Sequence, residues 1–175
     1  MRMKSFVLCL AAMLAISPLS RAADVTVKIT KVHLCCDKCV NAAKKVVSAV
    51  DGASATPDKT TSTVEITAPD TATVQKAVDA LVKAGFFGEC GDPSVKISAG
   101  TSAKGDKVQT LTVKGVHLCC PSCVKAVHKA LAAVPGDTAD TAAKGVESFT
   151  VTGDFKDSDI FAALQKAGLT GSGGQ

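Results

Sequence analysis

The chain has 175 residues, a formal net charge of +4 and 46% hydrophobic residues, yet only 3% aromatic ones, with no Trp and no Tyr. Both arginines, Arg2 and Arg21, fall in the first 22 residues. The remainder has neither the Arg-rich basic stripe nor the stacking aromatics of a nucleic-acid surface, which excludes nucleic acid as a partner.

The first 22 residues read as a secretory signal peptide. Arg2 and Lys4 supply a positive start, Phe6–Ile16 an apolar run, and Ser20-Arg21-Ala22 a small-residue end. The run is too short to span a bilayer, which takes about 20 residues. Without this leader, seventeen lysines face sixteen acids and the net charge is +1. The expected location is therefore exported, periplasmic or extracellular, with no membrane span in the mature chain.

Val25, Val27 and Ile29 alternate with polar residues and predict a strand over 24–32. Beyond it the apolar parity slips, since Val32 and Leu34 fall on the other side of the alternation. A period of two cannot change parity without an irregularity, so a bulge or kink is expected near Thr30-Lys31. "CVNAAKKVVSAV" (39–50) has helical spacing through Val40, Ala43, Val46/Val47 and Val50. A weak strand with a hairpin around Pro57-Asp58 follows, then a strand over 62–68. A second helix is capped by Asp70 or Thr71, carries Val74, Ala77, Val78, Leu81 and Val82 inward, and ends at Gly85. Phe86-Phe87 is expected to begin a last strand.

The whole pattern then recurs. Val32, His33, Leu34, Cys35, Cys36, Cys39, Val40, Ala42 and Lys45 reappear 84 positions later, and "ALVKAGFFG" (80–88) matches "ALQKAGLTG" (163–171). The parity slip recurs as well, between Leu111/Val113 and Val116/Leu118, with Gly115 at the expected kink. The predicted fold class is α+β: two tandem ferredoxin-like βαββαβ sandwiches, the second with a short or missing last strand. The boundaries are 1–22 signal peptide, 23–98 unit 1, 99–106 linker and 107–175 unit 2. The segment "SVKIS" (94–98) has no slot in unit 1 and is expected to extend its last strand or cover the edge of unit 2.

Beyond the leader there are seven cysteines, at 35, 36, 39, 90, 119, 120 and 123. An exported setting permits disulfides, but a stapled scaffold spreads its cysteines to close long loops. Six of these seven sit in "VHLCCDKCV" and "VHLCCPSCV", which argues for two sites. Each CxxC lies at a strand–helix junction, where helix N–H groups and the positive end of the helix dipole favour thiolate. Two thiolates so placed suit Cu(I) or Hg(II), and sulfur ligands also take Zn(II). Cys90 has no counterpart in unit 2 and reads as a buried free thiol. Lys44, Lys45, Lys125 and Lys129 read as a solvated helix face, and His128 as a surface residue.

On these residues the chain resembles a tandem of heavy-metal-associated domains. That family includes copper chaperones, the N-terminal domains of copper- and zinc-transporting P-type ATPases, and the periplasmic mercury-binding protein. Its pattern is roughly G-M-x-C-x-x-C at the end of strand 1. The resemblance implies Cys36, Cys39, Cys120 and Cys123 as the main metal ligands. Leu34 and Leu118 stand where the family has a buried Met, His33 and His117 where it has Gly, and Cys35 and Cys119 at the variable position. Phe86 stands where ATPase-type and mercury-binding members often carry an aromatic; unit 2 has Leu169 there. Cys35 and Cys119 are further candidate ligands, against the alternative of bystander thiols, and His33 and His117 are nitrogen candidates. A Cys₃His set would suit tetrahedral zinc, three thiolates trigonal Cu(I). The implied function is an exported protein that captures, buffers or transfers a soft metal ion, Cu(I) favoured and Zn(II) or Hg(II) open. The implied partner is a membrane metal transporter or another metal-binding protein. No general base, nucleophile constellation or phosphate loop is visible, so no enzyme activity is expected. The rivals are a thiol–disulfide exchange protein using the same CxxC pairs and a non-metal interaction module.

Overall fold

The computed structural model describes residues 23–174; the expected signal peptide, 1–22, lies outside the described residues. In chain order the elements are β1 Val25–Thr30, α1 Asp37–Ser48, β2 Ser54–Asp58, β3 Thr63–Ala68, α2 Thr71–Lys83 and β4 Glu89–Cys90. There follow β5 Lys107–Lys114, α3 Pro121–Leu131, β6 Asp137–Asp140, β7 Ser148–Lys156, α4 Asp157–Lys166 and β8 Ser172–Gly174. They build two four-stranded antiparallel sheets, ordered β2-β3-β1-β4 and β6-β7-β5-β8. With four helices among the described residues, this mixed α+β architecture is consistent with two ferredoxin-like domains.

Each core follows the apolar periodicity. β1 turns Val27 and Ile29 inward, β3 adds Val64 and Ile66, and the helices close over them with Ala43, Val47, Val74, Val78 and Leu81, all buried. Unit 2 repeats this with Leu111, Val113, Phe149, Val151, Val127, Leu131, Ile160 and Leu164. Full burial of such a side chain contributes about 1.5–3 kcal/mol each.

The parity slip has a backbone cause. β1 stops at Thr30 and Lys31 adopts a left-handed φ of 60°; β5 stops at Lys114 and Gly115 has φ 76°. One left-handed residue after each strand rotates the chain, so that Val32, Leu34, Val116 and Leu118 are buried on the new parity. The ladder's own register shift lies elsewhere, between Val108 and Thr110.

Helix ends were legible too. Asp70 Oδ1 accepts the Thr73 N–H at 2.7 Å and caps α2. At its other end Gly85 has φ 88°, with Gly85 N–H donating to Val82 O and Phe86 N–H to Leu81 O, the paired bonds of a Schellman cap. Gly168 closes α4 the same way, through Gly168 N–H to Gln165 O and Leu169 N–H to Leu164 O.

Several expectations need correction. Pro57 and Asp58 lie inside β2, and the hairpin turn comes after them, with Ser62 at φ 55°. Phe86 does not begin a strand of unit 1; it bridges Leu169 of unit 2 in an isolated antiparallel pair, and β4 starts only at Glu89. Residues 94–98 are not a strand and pair with neither sheet, although Ser98 shares a cleft with Lys114 and Ser172 at the edge of unit 2. Lys96 exchanges two 2.8 Å hydrogen bonds with the Gln75 side chain on α2, and Val95 is buried. Cys90 is half-buried and opposes Ile29 in the β1–β4 ladder. The last strand of unit 2, expected to be short or missing, is present and short, three residues long. Among the described residues, no helix is long and apolar enough to cross a membrane.

The two units dock through their helix ends. His33 N–H and Phe87 N–H both donate to Gly168 O, and Thr170 N–H donates to Gly85 O. A Cβ on Gly85 would lie 2.5 Å from the His117 nitrogen, and one on Gly168 would lie 2.5 Å from the His33 nitrogen. The cap glycine of each unit thus rests on the metal-motif backbone of the other. The two glycine contacts are reciprocal, so the units face each other in an approximately two-fold manner.

Candidate metal centre

Cys36 is the N-cap of α1 and Cys120 the N-cap of α3. Ser, Thr, Asp or Asn would normally cap there through a side-chain hydrogen bond, usually adding about 1 kcal/mol. Neither cysteine makes that bond. Cys39 and Cys123 sit in the first turn, fully buried, with the Cys123 N–H on Cys120 O at 3.1 Å. Pro121 opens α3 where no N–H is needed. The positive ends of two helix dipoles therefore face these sulfurs, each equivalent to roughly half a charge.

The docking brings the two motifs into one cluster. All six motif cysteines are free thiols. Within unit 1, Cys35–Cys39 is 3.6 Å and Cys36–Cys39 3.7 Å; within unit 2, Cys119–Cys123 is 3.8 Å and Cys120–Cys123 3.6 Å. Contacts between units are as short. Cys35 Sγ lies 3.3 Å from Cys120 and 3.5 Å from Cys123. Cys119 Sγ lies 3.8 Å from Cys36 and 3.5 Å from Cys39, and Cys39–Cys123 is 3.7 Å. The cysteine preceding each CxxC thus touches the second cysteine of its own CxxC and both cysteines of the opposite one. Sequence reasoning grouped Cys35 with its own Cys39, which the structure brings together; the contacts to the opposite unit were not foreseen, because spacing within one unit holds no information about the partner unit.

The histidines cross as well. His33 has a ring nitrogen within 4.8 Å of the Cys35 and Cys123 sulfurs. His117 lies against Cys39, and its ring stacks on Phe86 of unit 1 with centroids 4.6 Å apart. Nε2 of each histidine is buried and finds no hydrogen-bond partner among the described residues. Burial holds the His33 imidazole below its ordinary pKa, with the Cys39 charge opposing, so the ring is neutral at neutral pH and can offer a nitrogen lone pair.

Protonation is shared unevenly. The Cys123 thiol holds Cys39 well below the thiol range, helped by His117, although burial opposes it. The same contact, with burial, pushes Cys123 up. Burial raises Cys35, and raises Cys119 to about 12. Burial also opposes ionisation of Cys120, but the Cys123 N–H and the Cys35 and Cys123 thiols bring it down to about 6. Before any ion arrives, the cluster holds Cys39 and Cys120 as thiolates and the neighbouring thiols as their donors.

The other singled-out residues lie apart from this cluster. Lys44, Lys45, Lys125 and Lys129 are exposed, and His128, also exposed, pairs with Asp140 at 2.8 Å. Asp157, which sequence reasoning did not single out, is buried and accepts the Lys104 and Gly105 N–H groups at 2.9 and 2.8 Å, fastening the segment before β5 to α4.

No family model matches the sequence, and no curated protein matches it. Among solved structures, the chain is similar to the solution structure of the N-terminal soluble domains of Bacillus subtilis CopA, at 18% identity and a TM-score of 0.31. The match covers 87% of this chain and 95% of the other. The functional reading rests on the six sulfurs and two imidazoles of this chain.

Proposed function

We propose that this is an exported soft-metal binding protein of heavy-metal-associated type, which captures Cu(I) through its clustered thiolates and passes it on by thiolate exchange. It is a carrier or buffer and not an enzyme. The observation that carries the reading is the unbroken set of sulfur contacts at 3.3–3.8 Å laid across two helix N-termini. Sulfur donors at low coordination number select soft ions, and a donor set this rich in thiolate disfavours Mg(II) and Ca(II), which take oxygen. Cu(I) is favoured over Zn(II) because three-sulfur groupings dominate the cluster, whereas zinc takes a tetrahedral set. Hg(II) is a second soft ion that the thiolates would accept. Cys35, Cys36, Cys39, Cys119, Cys120 and Cys123 are the ligands, with His33 and His117 beside them. A membrane metal transporter or a second thiolate protein is the fitting recipient, since an exposed partner thiolate can displace Cys36 or Cys120 first.

The test is anaerobic titration of the reduced full chain with Cu(I), Zn(II) and Hg(II) against a competing chelator. Tight retention of Cu(I), lost in the Cys39→Ser/Cys123→Ser variant, is expected. Failure to retain any of the three ions, together with rapid reduction of a disulfide substrate, would instead identify a thiol–disulfide exchange protein.

A further inference from the structure

The nine sulfur contacts close into four triangles. They are Cys36–Cys39–Cys119, Cys39–Cys119–Cys123, Cys35–Cys39–Cys123 and Cys35–Cys120–Cys123, with every edge between 3.3 and 3.8 Å. Consecutive triangles share an edge, and the strip maps onto itself when the units are exchanged. A metal–sulfur distance of about 2.3 Å puts the sulfurs of a trigonal site roughly 4.0 Å apart. Small outward movements therefore turn each triangle into a three-coordinate site. Two independent sites would require the first and last triangles to stand apart. They do not: Cys35–Cys39, Cys39–Cys123 and Cys119–Cys123 join them at 3.6, 3.7 and 3.8 Å, no longer than the longest edge of the first triangle, 3.8 Å.

From this geometry, and resting on the metal-binding reading above, we infer that the six thiols build one polynuclear Cu(I)–thiolate centre shared by both units, holding up to four ions. Cys39 and Cys123 each belong to three triangles, and Cys35 and Cys119 to two, so these four bridge between ions. Cys36 and Cys120 belong to one each and are the terminal, exchangeable ligands. As each Cu(I) is handed over, the carrier's S–Cu bond breaks as an Sγ–Cu bond forms; where the incoming ligand is a thiol its proton passes to the released carrier thiolate, whereas Cys39 and Cys120 bind as thiolates already, and copper stays Cu(I). Six thiolates and four ions leave a charge of −2, which faces the positive ends of α1 and α3. The ions would tie unit 1 to unit 2, so loading should be cooperative.

The experiment is Cu(I) titration of the full chain followed by native mass spectrometry and copper X-ray absorption. Expected are a load of four, direct passage from the empty to the fully loaded species, and a copper–copper scattering shell. The Cys35→Ser variant, with its far-UV circular dichroism unchanged, should fall to two ions, because two triangles lose a corner. A load of two or fewer, or no copper–copper shell, would overturn the shared centre while leaving metal binding intact. If no Cu(I) survives the chelator, the parent reading itself fails.

Discussion

The sulfurs of Cys35 and Cys120 approach to 3.3 Å, the shortest contact in the cluster, although 85 positions separate them in the chain. The cysteine that makes this motif unusual thus reaches across to the opposite unit while keeping contact with its own CxxC. The two copies are held so that neither has a complete set of sulfur neighbours alone, and this arrangement bears directly on stability.

Gly85 and Gly115 both have left-handed φ, but only Gly85 is pressed against the other unit; a Cβ on Gly115 would meet nothing within 4 Å. A non-glycine residue in that conformation costs about 1–2 kcal/mol. Gly115→Ala should lose that amount in urea unfolding. Gly85→Ala should lose clearly more, because its methyl collides with backbone that cannot move aside. Equal losses would mean that the inter-unit contact contributes nothing.

Phe86 is fully buried and covers the His117 ring. Truncation of such an aromatic costs about 3–5 kcal/mol. Phe86→Ala should show this loss by chemical denaturation, whereas Phe86→Leu should recover much of it. An exposed Phe86 would give under 1 kcal/mol for the alanine variant.

Cys120 titrates near 6 and is half-buried, while Cys119 titrates near 12. In the reduced apo-protein, alkylation followed by peptide mass mapping should modify Cys120 already at pH 7. Its rate should fall as pH drops through 6, because the thiolate is the nucleophile. Cys119 should stay unmodified under the same conditions. The reverse order would refute the proposed sharing of protons.

Asp157 is buried, which by itself disfavours its charge, but the Lys104 and Gly105 N–H groups bring its carboxyl below the ordinary 3.8. A depressed carboxyl contributes stability that is fully present above its unfolded pKa and is lost as pH falls through the folded value. The stability gap between wild type and Asp157→Asn should therefore be constant from pH 5 to 7 and shrink below about 4. A gap that grows on acidification would contradict the assignment.

Cu(I) loading should raise the unfolding midpoint of the full chain, by mass action on the folded state. At a free ion concentration about a thousandfold above Kd the gain is about 4 kcal/mol. A competing chelator should reverse it, as followed by circular dichroism. No shift on saturation would mean that the ion binds the unfolded chain equally well.

Much of the fold was legible because it is written in local patterns. Alternation placed β1 and β3, helical spacing placed α1 and α2, and the parity slip located the left-handed residues Lys31 and Gly115. The Asp70 cap and the Gly85 stop followed from backbone requirements. The docking of the units was not legible, because it uses backbone groups. Gly168 O and Gly85 O accept hydrogen bonds whatever side chain follows, so Phe86 read as a strand start within its own unit, not as a bridge to Leu169. The crossing of Cys35 and Cys119 depends on that docking and was hidden with it. Asp157 looked like an ordinary first-turn acid, and only its hydrogen bonds to residues 104 and 105 set it apart.

The two helix-end glycines carry a last consequence. Each unit offers the same pair of surfaces, a cap glycine and a cysteine loop, and each pair is satisfied by the other's. A lone unit would find the same complement in a second copy of itself, as isologous dimers do. Joining the copies in one chain turns that encounter into an intramolecular one, at an effective concentration of millimolar order for a short linker. The six sulfurs can then stay assembled at protein concentrations far too low for two separate chains to meet.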